Sequence, residues 1–227
     1  MCGRYTLRAE PEAIAQQFEV EVSTEVLNAV QPRYNIAPSQ PILAIRSNQQ
    51  TAERELTFLR WGLVPFWAKD IKIGYRLINA RSETVSEKPS FRAAYRYRRC
   101  LIPADGFYEW QRQNKRKKQP FHIRQPDQPI FAFAGLWEHW QDPAGAELET
   151  CTILTTQPNE LMAPIHDRMP VIIAPRDYDC WLTAPSTRLV EPLLKPYPSE
   201  LLTALPVSTL VNNAKVDHLD CLTRAER

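Results

Sequence analysis

Twenty prolines against six glycines set the strongest limit on what this chain of 227 residues can fold into. Proline fixes φ and removes a backbone donor, so a chain rich in it favours stiff, extended connections and edge positions. The glycines, at 3, 62, 74, 106, 135 and 145, never stand at the spacing of G-x-G-x-x-G or of a P-loop, which excludes the phosphate-cradling nucleotide folds. Short β-rich runs fall at 42–45, 55–64, 76–80, 99–103, 107–111, 120–124, 130–136, 150–156 and 170–174. Most are separated by too few residues for helical crossovers, so an antiparallel or mixed sheet is expected. Apolar spacing predicts a helix over 11–18, with Pro11 in its first turn and Ile14 and Phe18 on one face, and further helices near 90–97, 176–182, 187–195 and 199–204. Residues 106–124 read as a hairpin whose tip is Gln113-Asn114-Lys115-Arg116-Lys117-Lys118. The expected architecture is α+β: a single compact domain over 1–227 with a mostly antiparallel or mixed, barrel-like β core and peripheral helices. A chain of this length buries roughly 70% of its unfolded surface in such a core without needing disulfides.

Hydrophobic residues make up 44% and charged residues 24%, and nowhere do about 18 apolar residues run together, so no membrane span is expected. The five cysteines (2, 100, 151, 180, 221) are odd in number with no C-x-x-C pair, and the amino terminus lacks the apolar core of a secretory signal. A cytoplasmic, reduced protein is the expectation. The four histidines (122, 139, 166, 218) approach no zinc spacing, so neither a metal nor another cofactor is expected.

Net charge is only +2, yet the basic residues are unevenly placed. Arg92, Arg96, Arg98 and Arg99 are interleaved with Phe91, Tyr95 and Tyr97, and Arg112, Lys115, Arg116, Lys117 and Lys118 cluster at the hairpin tip beside Trp110. Cations for phosphates and rings for unstacked bases are the pairing that single-stranded nucleic acid binding uses. The competing reading of the tip is an ordinary solvated turn. For the aromatic stretch 61–67 it is core packing, set against an irregular loop carrying exposed rings.

Cys2 stands out on chemistry alone. Initiator methionine is commonly removed before a small second residue, which would leave an amine and a thiol on adjacent carbons. Such a 1,2-aminothiol condenses with an aldehyde: the amine forms an imine and the sulfur closes a five-membered thiazolidine, which no internal cysteine can do. With ordinary pKa values of about 8 for the amine and about 8.5 for the thiol, only a small fraction of each is nucleophilic at neutral pH, so a nearby proton acceptor would help. The plain alternative is a small buried hydrophobe.

The blocks Met1-Cys2-Gly3-Arg4-Tyr5, Arg33-Tyr34-Asn35-Ile36-Ala37-Pro38, Arg60-Trp61-Gly62-Leu63-Val64-Pro65, Ile78-Asn79-Ala80-Arg81-Ser82-Glu83, Cys100-Leu101-Ile102-Pro103-Ala104-Asp105-Gly106-Phe107-Tyr108-Glu109-Trp110 and Ile165-His166-Asp167-Arg168-Met169-Pro170 occur in the order seen in the SRAP family. The chain thus resembles the SOS-response-associated peptidases, which crosslink themselves to abasic sites in single-stranded DNA. The likeness weakens after about Ala174, apart from Val207-Ser208-Thr209. It implies that Cys2, freed of Met1, is the covalent nucleophile and that Asn79, Glu109 and His166 surround it. It further implies contacts to single-stranded DNA through Arg4, Arg81, Pro38, Trp67, Trp110 and Arg168, with the protein acting as a monomer. Each residue type suits its implied role. A closed abasic sugar needs proton transfers to open to its aldehyde, which a histidine and a carboxylate supply; Asn79 offers a donor and an acceptor without charge; guanidinium groups grip phosphates bidentately.

Without the resemblance the same residues read differently. Glu109 lies on an alternating strand and reads as an exposed face residue. His166 beside Asp167 and Arg168 reads as a loop ion-pair cluster, and Asn79 as a strand-end turn former. His122, His139 and His218 match no motif and read as structural. Two rival functions stay open: an amino-terminal-nucleophile peptidase that removes its own Met1, and a non-covalent single-strand binding module.

Overall fold

The computed structural model describes residues 2–21, 26, 29–48, 51, 53–114 and 117–225. In chain order its strands are β1 (Tyr5–Leu7), β2 (Arg33–Ile36), β3 (Pro41–Ser47), β4 (Arg54–Trp61), β5 (Asn79–Arg81), β6 (Arg99–Ala104), β7 (Gly106–Arg112), β8 (Lys118–Arg124), β9 (Phe131–Gln141), β10 (Glu147–Thr156), β11 (Met169–Pro170), β12 (Ile172–Ile173) and β13 (Thr203–Pro206). Strand β3 pairs with β4 and β6, β6 with β9, and β9 with β10, all antiparallel. Strand β10 then returns to β4 in parallel, through Thr150 opposite Arg60 and Cys151 opposite Trp61. The ring is therefore closed: a five-stranded mixed barrel whose closure removes the unpaired edges of an open sheet.

A second, wholly antiparallel sheet runs β13-β8-β7-β1-β2. Its inner face packs on the barrel through rings: Tyr5 meets Trp61 and Phe133 edge-on at centroid distances of 5.5 and 5.8 Å, and Phe107 meets Phe133 at 6.0 Å. These residues belong to one continuous apolar core that takes in both sheets. Such aromatic pairs add about 1 kcal/mol each beyond their burial. Beyond the end of β4, β10 offers the same edge to β5, with Asn79 opposite Ile153 and Arg81 opposite Thr155.

The helices lie outside the barrel: α1 (Pro11–Phe18), α2 (Arg92–Tyr97), α3 (Tyr178–Thr183) and α4 (Thr187–Val190). The end of α2 is held by Arg99, whose buried guanidinium donates to the carbonyls of Tyr95, Arg96, Trp181 and Ala184. Arg98 pairs with Glu138 at 2.7 Å. Two of the arginines in the first basic cluster are thus structural.

The expected strands are present, and four segments depart from the sequence expectation. Residues 199–204 do not form a helix: a 3-10 turn at Ser199–Leu201 leads into β13, because pairing with β8 captures the segment. The expected helix over 187–195 ends at Val190, and Glu191–Leu193 continues as a 3-10 turn carrying Pro192. Residues 71–76 form a 3-10 helix, and the strand expected from 76 begins only at Asn79. The run 170–174 splits at Val171, which accepts from Ala134 and donates to Leu154, so the chain passes from β10 to β9 there. The hairpin 106–124 forms as β7–β8, while Lys115 and Arg116 at its tip lie outside the described residues.

Candidate active site

The site is assembled by the pairing of β1 with β7. Tyr5 stands opposite Phe107 and Thr6 opposite Gly106, and the Tyr108 amide donates to the Arg4 carbonyl at 3.0 Å. A buried polar network locks this register. Thr6 Oγ1 donates to Asp105 Oδ1 at 2.5 Å, Asp105 Oδ2 accepts from the Arg8 amide at 2.5 Å and from its Nε at 3.1 Å, and His122 Nε2 lies 3.1 Å from Thr6 Oγ1. Gly106 is required beneath the imidazole, since a Cβ there would lie 2.1 Å from His122 Nε2. Burial holds His122 down at about 3, so the ring is neutral.

The register carries Cys2 into the interior, where it is fully buried with Sγ 4.0 Å from the Arg4 carbonyl. Burial, reinforced by the negative charge of Glu109, pushes its thiol far above the ordinary range. Glu109, on β7, is 1% exposed. Burial raises its carboxyl to about 7, against the opposing charge of the chain's amino terminus. His166 Nε2 lies 3.8 Å from Glu109 Oε2. The Arg168 amide donates to His166 Nδ1 at 3.0 Å, so the neutral ring carries its proton on Nε2, the atom nearer Glu109. Burial lowers the pKa of His166 and so favours that neutral form; Asp167 Oδ1, 3.0 Å from Nδ1, acts in the opposite sense. Gln111 Nε2 donates to the Pro164 carbonyl, fastening the loop that carries His166 to the strand that carries Glu109.

Asn79 opens β5 with Nδ2 on the Ile153 carbonyl at 3.4 Å, while its buried Oδ1 has no hydrogen-bond partner among the described residues. A buried, unpaired amide oxygen costs free energy unless a ligand or water satisfies it. Arg81, two residues on along the strand, is exposed. Between the Asn79 and His166 segments stands a clamp: Arg168 Nη1 and Nη2 meet Glu83 Oε1 and Oε2 at 2.6 and 2.9 Å, and Nη2 also donates to the Thr155 carbonyl.

The other implied DNA contacts are distributed as follows. Trp67 (49% exposed) and Phe66 (62%) project from the loop after β4, whereas Trp61 is core. Pro38 sits in the neighbouring turn, tied to β4 by the Ser39 amide on the Trp61 carbonyl at 2.7 Å. Trp110, half-buried, points from the face of β7 opposite Glu109 and donates to Asn212 Oδ1 at 2.7 Å. Arg4 Nη1 donates to Asn35 Oδ1 and to the Val211 carbonyl. Asn35 Nδ2 in turn reaches the carbonyls of Val211, Asn213 and Val216, and Asp217 accepts from the amides of Tyr34 and Asn35. This strap over β1 and β2, the Glu83 clamp and the Thr6–Asp105–His122 network were not singled out from sequence. Asn35 and Glu83 lie inside recognisable blocks, but nothing in their spacing announces their partners.

A closed mixed barrel packed on a second sheet, with a buried amino-terminal-side cysteine in the electrostatic reach of a buried carboxylate that lies 3.8 Å from an imidazole, defines a candidate nucleophile site. The chain belongs to the family described as SOS response associated peptidase (SRAP), whose profile it matches over residues 1–214. It is 49% identical over 217 residues to abasic site processing protein YoqW of Bacillus subtilis, covering 95% of this chain and 96% of that one. To abasic site processing protein HMCES of Xenopus tropicalis it is 35% identical over 221 residues, covering 85% of this chain and 66% of that one. The crystal structure of a protein from Bacteroides thetaiotaomicron matches with a TM-score of 0.89 at 28% identity, covering 99% of this chain and all of that one.

Proposed function

We propose that this protein processes abasic sites in single-stranded DNA by capturing the ring-opened sugar as a thiazolidine on Cys2. The observation that carries the reading is the placement of Glu109, a buried carboxyl held near neutrality, within the electrostatic reach of Cys2 and 3.8 Å from the protonated nitrogen of a neutral His166. The family membership and the printed names of the relatives point the same way.

The chemistry needs Met1 removed, so that Cys2 bears a free α-amine. Opening the hemiacetal takes a proton from the C1′ hydroxyl and gives one to the ring oxygen; ionised Glu109 accepts the first and, once protonated, returns it to the ring oxygen, while the His166 Nε2–H hydrogen-bonds the oxygen on which charge develops. The Cys2 ammonium passes a proton to Glu109, the freed amine adds to the C1′ aldehyde, and that proton returns to the departing hydroxyl, which leaves as water and gives an iminium. The thiol then adds its sulfur to C1′, its proton passing to Glu109, and a neutral thiazolidine results with one water lost overall. Asn79 Oδ1 accepts a hydrogen bond from the sugar hydroxyl. An unclosed imine would acidify the neighbouring sugar carbon and invite loss of the 3′ phosphate, so the thiol converts a potential lyase into a shield.

Intact-mass analysis of protein verified to begin at Cys2, incubated with an abasic oligonucleotide, tests the reading. An adduct lighter by one water than the sum of its parts is expected, and Cys2→Ala should lose the stable adduct and release cleaved strand. No adduct with the wild type, or an equal adduct with Cys2→Ala, overturns it. The word peptidase in the family's description fits self-removal of Met1 by the Cys2 thiol; incubating a Met1-retaining protein free of aminopeptidase separates that activity from processing by another enzyme.

A further inference from the structure

One feature of the surface is not used by this chemistry. The β7–β8 hairpin and the segment 209–212 enclose an open cleft of about 1090 Å³, lined by Trp110, Arg112, Lys117, Lys118, Thr209 and Asn212 among others. Its lining contains no acidic residue, although the chain as a whole is nearly balanced in charge. Arg112 and Lys118 are direct cross-strand partners. Neither they nor Lys117 form an ion pair with any described carboxylate, and all three are exposed. Like charges directly opposite one another are unfavourable unless an anion lies between them. The floor is the Trp110 ring, whose Nε1 is fixed on Asn212 so that its orientation is set before anything binds. Gln111, next to Arg112 on β7, donates to the Pro164 carbonyl of the loop that bears His166, which joins the cleft's strand to the reaction chamber.

We infer that this cleft is an extension subsite for the DNA strand beyond the lesion, with Arg112, Lys117 and Lys118 on its phosphates and a base against Trp110. The inference rests on the abasic-site reading and adds to it a length requirement. Glu109 and Trp110 project from opposite faces of β7. The strand must therefore leave the chamber across the edge of β7 beyond Tyr108, whose hydrogen bond to Arg4 is, among the described residues, the last toward the β1 segment. A lesion carried on a very short oligonucleotide fills the chamber without reaching the cleft.

The test is fluorescence anisotropy with two oligonucleotides bearing a non-reactive tetrahydrofuran lesion, one of about five and one of about fifteen nucleotides. Wild type should bind the longer more tightly. The variant Arg112→Gln/Lys117→Gln/Lys118→Gln should lose about tenfold or more on the longer strand and nothing on the shorter. Its slope of log affinity against log salt should fall by about two, since each single-strand phosphate contributes about 0.7. Circular dichroism and a thermal melt confirm that the variant is folded. Equal loss on both lengths, no loss on either, or a wild type indifferent to length overturns the subsite. The abasic-site reading fails separately, if wild type forms no covalent adduct with a reactive lesion in the intact-mass assay.

Discussion

The carboxyl of Glu109 is held near 7 chiefly because it is buried, and a group poised there changes charge across the range in which the reaction runs. If the ionised form takes the protons of the C1′ hydroxyl and of the Cys2 thiol, the adduct-forming rate should climb as pH rises through about 7 and level off above it. Glu109→Gln keeps the shape and removes the titration. Single-turnover crosslinking across pH 5.5–8.5 should show a slower reaction, by roughly 10²-fold, with the step near 7 gone. Retention of that step in Glu109→Gln would assign it to another group. Burial lowers the pKa of His166 and favours its neutral form; its loss should lower the rate while the step set by Glu109 persists. The alternating pattern of β7 reads Glu109 as solvent-facing. The loop ending at His166, fastened through Gln111 and Pro164, covers that face, and a long-range cover leaves no trace in local periodicity.

Short elements hold these residues in register, and their couplings can be broken one at a time. The Glu83–Arg168 clamp joins the turn after β5 to the loop bearing His166, while the Arg168 amide sets the tautomer of that imidazole. Glu83→Gln should therefore slow adduct formation several-fold while leaving affinity for a non-reactive lesion within about twofold, a split expected of a positioning residue. A parallel fall in affinity would instead make Arg168 a phosphate contact that Glu83 merely presents. At the β1–β7 junction, Gly106→Ala forces a methyl into the His122 ring and should cost at least about 2 kcal/mol in urea unfolding. Adding His122→Ala to it should recover part of that loss, whereas additive losses would place the strain elsewhere. Sequence pattern served the long elements well: β9 opens on a seven-residue apolar run, Phe131 to Trp137, and β3 carries the run Ile42 to Ile45. It did not reveal β1, whose three residues are all buried and show no period, nor β13, which with Leu201 and Leu202 just before it mimics a helical stripe until β8 captures it. Cys2 was legible from its chemistry, but Asn79, Glu109 and His166 only through their family blocks, because Glu109 acts on Cys2 from 107 positions away and meets His166 across 57.

At the scale of the whole molecule, two buried titratable groups pull stability in opposite directions with pH. His122 is held at about 3, below its ordinary 6.5, so between these values the unfolded chain binds the extra proton and stability rises with pH. Glu109 is raised from 4.5 to about 7, so across that interval the folded protein binds the extra proton and stability falls as pH rises. From about 4.5 to 6.5 the two slopes oppose each other. Below that range the loss due to His122 continues as the solution is acidified, joined by that of Glu83, whose carboxyl Arg168 holds below its ordinary range, and just above it the loss due to Glu109 continues as it is made alkaline. His122 and Glu109 are nearly fully buried, so each contributes on the order of a few kcal/mol over its window. Urea unfolding at constant ionic strength should thus give a broad plateau for the wild type. Glu109→Gln should replace the plateau with a rise that continues to about 6.5 and flattens, and His122→Gln should replace it with a decline from about 4.5 to 7. A Glu109→Gln curve parallel to the wild type would mean that the carboxyl is ionised at ordinary acidity inside the fold, and the proton acceptor assigned to the Cys2 chemistry would have to be sought in His166.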